Sequence, residues 1–371
     1  MKYIFHICPS YLQTSLYHNL FVELESYNEK NIVYVPAVSA IRNVSYKTEY
    51  LNKSFSVFDR LLYQRKQNLI FYDICKKEYL SDIKLLHAHT LFSAGYAAYR
   101  ISKKMKLKYI VAIRDTDVNI FFKRMTHLRN LGVKIMYNAE QVIFLSEAYK
   151  KTVLTKYVPK SKKTLIEEKS IVIPNGIDKY FLENRYYRKI EKQTDSIKIL
   201  FVGEITRRKN VTETIKACMY LNSRGYKVSY TVVGEIKNTF IGWRLKRYPF
   251  IFYHPKCNKE QVLQYMRTAD VFVMPSITET FGLVYAEAMS QGLPIIYTKG
   301  QGFDGHFKDG EIGFAVNCFD YKMIAQKILE IYSNYDSISE RCTSYADRFD
   351  WKKIAFDYKE IYNRIVSNIK K

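Results

Sequence analysis

Short apolar runs alternate along the chain with longer stretches whose apolar residues recur at helical spacing. YIFHIC (3–8), NIVYVP (31–36), IKLLHAH (83–89), KYIVAIR (108–114), QVIFLS (141–146) and SIVIPN (170–175) read as buried parallel strands. Between them, LFSAGYAAYRISKKM (91–105) predicts a helix whose basic residues gather at its C-terminal end, where they suit the helix dipole. The alternation then starts again with IKILFVG (197–203), SYTVVG (229–234), FIFYH (250–254), VFVMP (271–275) and PIIYT (294–298). Two series of strand–helix units predict an α/β protein of two doubly wound, Rossmann-like domains facing across a cleft.

The interruption lies in IDKYFLENRYYRKIEKQTDS (177–196), which is polar and lacks a periodic apolar face. A boundary near 185 follows, giving an N-terminal domain over 1–185 and a second over 186–350. The stretch SFSVFDRLLYQRKQNLIFYDICKK (54–77) mixes aromatics with Arg60, Arg65, Lys66, Lys76 and Lys77. It fits either a basic amphipathic helix on a membrane surface or a helix packed on its domain with a solvated basic face.

Composition narrows the class. A chain of 371 residues with 47% hydrophobic and 26% charged residues suits two globular cores. No apolar stretch reaches the roughly 18 residues of a spanning helix, and the first apolar run is too short for a secretory signal. Six dispersed cysteines without a C-x-x-C pair point to a reducing cytoplasm and to no cysteine metal site. The net charge of +23 favours a polyanionic partner such as a phosphorylated ligand, an anionic membrane face or nucleic acid. A lysine-rich codon bias accounts for such an excess equally well. The basic residues are dispersed and no nucleic-acid motif accompanies them, so nucleic acid is not the expected partner.

The candidate chemistry concentrates in PSITETFGLVYAEAMSQGLP (275–294). A strand ends at Pro275, a turn follows, and FGLVYAEAMSQ (281–291) has helical composition with Gly292 placed as its C′ residue. Gly282 at the helix start lets a ligand approach amides that have no intrahelical partner, and such an end suits phosphate or a sugar oxygen. Glu279 stands at the mouth of this nest and Glu287 further along the helix, and both carboxylates can accept hydrogen bonds from paired hydroxyls. The plainer alternative is a dipole-favoured acid at 279 and a surface residue at 287.

The 279–287 segment resembles the E-x7-E motif of GT4-type retaining glycosyltransferases of the GT-B fold, glycosyl transferases group 1. Other stretches resemble the same family in the expected order. IPNGID (173–178) is similar to its inter-domain signature, FVGEITRRKN (201–210) to its phosphate-binding loop, 85–119 to its N-terminal core, and WKKIAFDYKEIYNRIV (351–366) to a terminal helix returning to the first domain, so 351–371 are expected to pack there. The resemblance implies metal-independent transfer, without a cofactor, of a hexose or N-acetylhexosamine from a nucleotide-diphosphate sugar, expected to be UDP-linked. The implied acceptor is a saccharide or a lipid-linked saccharide at the inner membrane face, as in surface polysaccharide assembly. The enzyme is then cytoplasmic, with possible peripheral attachment to an anionic membrane.

Residue by residue, the resemblance implies that Glu279 holds sugar hydroxyls and Glu287 the ribose, and that the backbone of Phe281, Gly282 and Leu283 holds sugar and phosphate oxygens. Gly203 lies in the phosphate loop, and Lys209 neutralises the diphosphate as charge develops on it. Three departures stand out. Glu204 occupies the place of an arginine common after the loop glycine, so Arg207 or Arg208 is expected to substitute. Arg114 replaces a histidine in VAIRDTDVN, with Asp117 following, and arginine cannot serve as a general base. The first-strand loop CPSYLQTS (8–15) has no glycine, leaving Ser10, Tyr11 and Ser15 as hydroxyl donors on the acceptor side. His87 and His89 lie two apart on one strand face and read as structural or acceptor-facing, without a metal. TKGQGFDGHFKDG (298–310) resembles the loop beside the donor sugar, with backbone amides of Gly300 to Gly302 as contacts or an ordinary turn cluster. Rival readings are a GT-B nucleotide-sugar epimerase, a nucleic-acid-binding protein and a catalytically dead scaffold.

Overall fold

The computed structural model describes residues 3–38, 54–60, 62–187 and 196–368. Residues 39–53, at the start of the irregular region before the first long basic stretch, and 188–195 of the expected linker lie outside the described residues. The chain divides into two compact units: residues 1–145, 149–175 and 351–371 form one, and 146–148 and 176–350 the other. The second unit therefore takes in the stretch from Gly176 onward, earlier than the composition break near 185 suggests. The physical reason is local: a short helix at Lys179–Glu183, capped by the Asp178 carboxylate, buries Phe181, whose carbonyl accepts from Gln291 Nε2 at 3.1 Å.

In the first unit, strands β1 (Tyr3–Ile7), β2 (Asn31–Tyr34), β3 (Ile83–Ala88), β4 (Tyr109–Ile113), β5 (Gln141–Phe144) and β6 (Ser170–Val172) form one parallel sheet, ordered β2-β1-β3-β4-β5-β6. The second unit holds β7 (Ser196–Val202), β8 (Lys227–Val233), β9 (Ile251–His254), β10 (Val271–Val273), β11 (Ile295–Thr298) and β12 (Gly313–Val316), ordered β12-β11-β10-β7-β8-β9. Every expected strand is present, and β12 is additional: its four residues open on a glycine and carry little periodic signal. In each sheet the winding reverses beside the first strand, between β1 and β3 and between β7 and β10. Ligands of open α/β sheets bind outside the carboxyl ends of the strands at such reversals.

Both faces of the first sheet are covered. On one side β3 and β4 pack on the helix Gly95–Met105, and on the other the helix Trp351–Ser367 buries Trp351, Ile354, Ala355, Tyr358, Ile361, Tyr362 and Ile365 at three- and four-residue spacing. The expected helix over 91–105 begins only at Gly95, because the Asp117 carboxylate captures the amides of Leu91 and Phe92, both at 3.0 Å. The basic stretch after residue 54 resolves in favour of packing. Its helix, Tyr63–Cys75, buries Gln67, Ile70, Phe71 and Ile74, while Arg65 pairs with Asp59 at 2.7 Å. No helix among the described residues is long and apolar enough to cross a membrane.

Candidate active site

The reversal between β7 and β10 brings two loops together in the second unit. After β7 the chain passes through Gly203 to a single 3₁₀ turn, Arg207–Lys209, capped by Thr206, whose Oγ1 accepts from the Lys209 amide at 3.3 Å. Asn210 then takes a left-handed conformation at φ 56°. Asparagine tolerates that region, and here its buried side chain donates to the carbonyls of Pro275 at 3.1 Å and Cys318 at 2.5 Å. That side chain, with the Ile277 amide donating to the Arg208 carbonyl at 2.8 Å, fastens the β7 loop to the β10 loop.

The fastening places Lys209 on Glu279. Lys209 Nζ donates to Glu279 Oε2 at 2.6 Å, and Arg208 Nη1 stands 3.6 Å from Oε1 while donating to the Thr278 carbonyl at 2.9 Å. Ser276 Oγ and the Thr280 amide each donate to the same carboxylate at 3.2 Å. Lys209 and Glu279 are nearly buried, with side chains 12% and 7% exposed, whereas Arg208 is 45% exposed. Two cations against one carboxylate leave a local surplus of positive charge, the condition for receiving an anion.

Beyond Glu279 the helix Leu283–Ser290 starts from Gly282 at φ 78°. A Cβ at that position would come within 2.4 Å of the Tyr285 ring, so both conformation and space require glycine. The helix is shorter at each end than the expected 281–291, and it closes on a Schellman motif, with Leu293 N donating to Ala288 O at 3.1 Å and Gly292 N to Met289 O at 2.9 Å. Among the described residues no acceptor faces the amides of Phe281, Gly282 or Leu283. The Phe281 ring itself is buried against Phe303, His306 and Phe349, so only its backbone belongs to the site.

Gly302 supports rather than lines this cluster. Its amide donates to the Glu279 carbonyl at 3.1 Å, and a Cβ would lie 1.9 Å from the Thr280 carbonyl oxygen. The amides of Gly300 and Gln301 are likewise spent, on Asp304 and Thr298. Glu287 has a separate environment, half-buried near the Asp178–Lys259 ion pair. Burial pushes its carboxyl up to about 7, with Asp178 adding to the rise and Lys259 opposing it. The two glutamates thus stand before and within one helix, with different partners. Arg207 also separates from the cluster: it lines a hollow of about 580 Å³ with Lys216 and Arg244, which leaves Arg208 as the arginine beside Lys209. Glu204 is exposed, within electrostatic reach of Lys237 rather than of Glu279.

The acceptor-side candidates lie in the first unit. Ser10 and Asp117 border a hollow of about 640 Å³ that also takes in Gln13, Lys66, Thr90 and Ser93. Asp117 is fully buried, and its carboxylate also accepts the Arg114 amide at 2.9 Å. Burial pushes that carboxyl up to about 6 against the opposing pull of three backbone donors. Arg114 donates from Nε to the His89 carbonyl at 3.3 Å and from Nη1 to Asn175 Oδ1 at 3.1 Å.

His89 is sealed from solvent, as are His87 and His6. The β1–β3 register sets His6 opposite His87, a third histidine that the single-strand spacing did not reveal. His6 Nδ1 lies 3.0 Å from His89 Nε2, His6 Nε2 bonds Asn31 Oδ1 at 2.9 Å, and His87 Nδ1 bonds the Tyr362 hydroxyl at 2.8 Å. The three rings offer nitrogens within 4.8 Å of one another, with His6 and His89 in direct contact. Burial lowers the His6 pKa to about 4 and the other two well below the usual imidazole range, so the cluster is a neutral stack in the core.

Comparison with known proteins places these geometries in context. Residues 183–349 match the family described as Glycosyl transferases group 1. The capsular polysaccharide biosynthesis glycosyltransferase CapM of Staphylococcus aureus is 29% identical over 216 residues, which span 55% of this chain and 55% of that protein. Among solved structures, sucrose-phosphate synthase from Thermosynechococcus elongatus superposes with a TM-score of 0.76 at 16% identity, over 99% of this chain and 100% of its own. The Anabaena protein HepE, in complex with UDP and glucose, gives 0.66 at 16% identity, over 98% and 100%. The shared architecture is the two-domain α/β fold of GT-B glycosyltransferases.

Proposed function

We propose that the chain is a GT4-type retaining hexosyltransferase drawing on a nucleotide-diphosphate sugar, a reading supported by the match of residues 183–349 to the family glycosyl transferases group 1. The observation that carries this reading is the Lys209–Glu279 pair at 2.6 Å beside the unpaired amides of the Leu283–Ser290 helix start. In the free protein Lys209 rests on Glu279. An incoming diphosphate draws Lys209 and Arg208 to its oxygens, and Glu279 exchanges their hydrogen bonds for those of sugar hydroxyls. The amides of Phe281 to Leu283 take sugar or phosphate oxygens at the positive end of the helix. Glu287 accepts the ribose hydroxyls.

Charge develops on the leaving nucleoside diphosphate as the glycosidic bond breaks. Fixed cations at that place stabilise the transition state more than the ground state. The neutralising charge in this reading comes from Lys209 and Arg208 rather than from a metal ion. Front-face transfer with retained configuration lets the leaving phosphate oxygen take the acceptor proton, so no base is required of Arg114 or His89. The acceptor is read onto the first unit's hollow, whose hydroxyl-bearing residues Ser10, Thr90 and Ser93 suit a saccharide. The HepE complex supports a UDP-linked donor and the CapM likeness a role in polysaccharide biosynthesis; a lipid-linked acceptor met on the cytoplasmic side of the membrane completes the proposal.

The test is a thermal-shift panel of nucleotide sugars followed by transfer assays in which NMR reports the anomeric configuration of the product. Stabilisation by one UDP-sugar and an axial product from an axial donor are expected. A flat panel overturns the reading, and release of an isomerised sugar without acceptor identifies an epimerase instead.

A further inference from the structure

The hollow that receives Arg207 opens beside a second feature of the second unit. The helix Thr239–Leu245 turns Ile241 and Leu245 into the core and leaves Phe240 64% and Trp243 58% exposed. Their rings stack with centroids 6.3 Å apart, Arg244 lies over Phe240, and Arg247 lies over Trp243. Phe319, 63% exposed, closes the far side of the same hollow, and Arg207 and Lys216 line it together with Arg244. Glu213 is the acidic residue within it and is paired with Lys216 at 2.8 Å.

A solvent-facing patch of two phenylalanines and a tryptophan is costly to leave in water. Aromatic rings with cations folded over them match the headgroup region of a bilayer, where the rings sit at the interface and the cations meet phosphate. We propose that this surface is a dock for a bilayer containing anionic phospholipid, with Phe240, Trp243 and Phe319 entering the interface and Arg207, Lys216, Arg244 and Arg247 engaging lipid phosphates. The surplus of these cations over Glu213 selects an anionic surface. The 54–77 stretch is the rival surface: it exposes Val57, Phe58, Leu62 and Tyr72, but its helix turns Ile70, Phe71 and Ile74 inward and Arg65 is held by Asp59. This assignment rests on the surface alone and stands or falls independently of the transfer reaction.

The chain carries its own probe, since its two tryptophans are the exposed Trp243 and Trp351, which is 7% exposed. Vesicles of phosphatidylcholine alone and with a quarter phosphatidylglycerol are added to the full chain at low and high salt. The expected result is co-sedimentation with the anionic vesicles only. A blue shift of the exposed tryptophan and its quenching by brominated acyl chains should accompany it, with release at high salt. F240S/W243S and R244E/R247E should each weaken binding at least tenfold, with circular dichroism confirming that both remain folded. F58S/R65E in the first unit should bind as the parent does. Equal binding to neutral vesicles, no change in Trp243 emission, or loss of binding in F58S/R65E with retention in the Trp243 variants each overturns the proposal. So does salt-insensitive self-association abolished by F240S/W243S, which assigns the face to a second copy.

Discussion

Each unit reverses its winding beside its first strand, and each gathers ionisable side chains there, yet the two reversals are put to opposite use. Along β1 and β3 the first unit stacks His6, His87 and His89, sealed and held to one another, to Asn31 and to Tyr362. Beyond β7 and β10 the second unit sets Arg208, Lys209 and Glu279 against one another at a partly open edge. Burial favours the neutral form of the histidines, whereas the second cluster sets two basic side chains against one carboxylate within ion-pair reach. Shared topology therefore sets ionisable groups at both reversals, and the surroundings of the side chains decide whether they are sealed in the core or reach a partly open edge.

The contrast breaks most sharply at Lys209. If the second cluster is catalytic, Lys209→Ala lowers kcat about 10²- to 10³-fold, the scale for removing one group that stabilises developing charge. The variant stays folded, with Arg208 and Ser276 still beside Glu279. Full turnover by the folded variant ends the assignment. If the first cluster is structural, it reveals itself in stability against pH. An unfolded histidine binds a proton near its usual pKa of about 6.5, whereas folded His6 resists until about 4. The unfolded state thus holds more protons below pH 6.5, and stability falls as pH drops through that window. His6 alone contributes about 3 kcal/mol by pH 4. Urea midpoints should fall steeply from pH 7 to 5 in the parent and less steeply in His6→Asn; a pH-independent midpoint contradicts the neutral stack.

Glu287 gives the gentlest test. Its carboxyl titrates near 7, so donor affinity should rise between pH 6 and 8 as the carboxylate forms and accepts ribose hydroxyls. Glu287→Gln should cost about tenfold in donor Kd, in keeping with the loss of one hydrogen bond to a charged group. It should also flatten that dependence, as isothermal titration at three pH values would show. An unchanged slope assigns the pH dependence elsewhere.

Much of this was legible in the residues. Buried parallel strands are apolar on both faces, so eleven of them stood out as runs, and the twelfth, β12, did not because it is short and opens on glycine. Gly282 and Gly292 could be placed because a helix start near a ligand and a left-handed C′ both demand glycine. What stayed hidden depends on register and on loop-to-loop contact. His6 joins His87 only through the pairing of β1 with β3, two strands separated by the whole of β2. The choice of Arg208 over Arg207 follows from a single 3₁₀ turn that sends Arg207 to the hollow beside Lys216 and Arg208 toward Glu279. Gly302, expected at the ligand, proves to be spent beneath Glu279, since the run of glycines announces tight packing without saying against what.

The helix Trp351–Ser367 belongs to the first unit although the whole of 176–350 precedes it in chain order. During synthesis the second unit emerges with all its strands before the first can seal the face that carries Ile354, Tyr358 and Tyr362. On the ribosome the later-made half is therefore able to mature first, while the opening half, its sheet face covered on that side by the helix Ser15–Ser26, waits for its last helix to be translated.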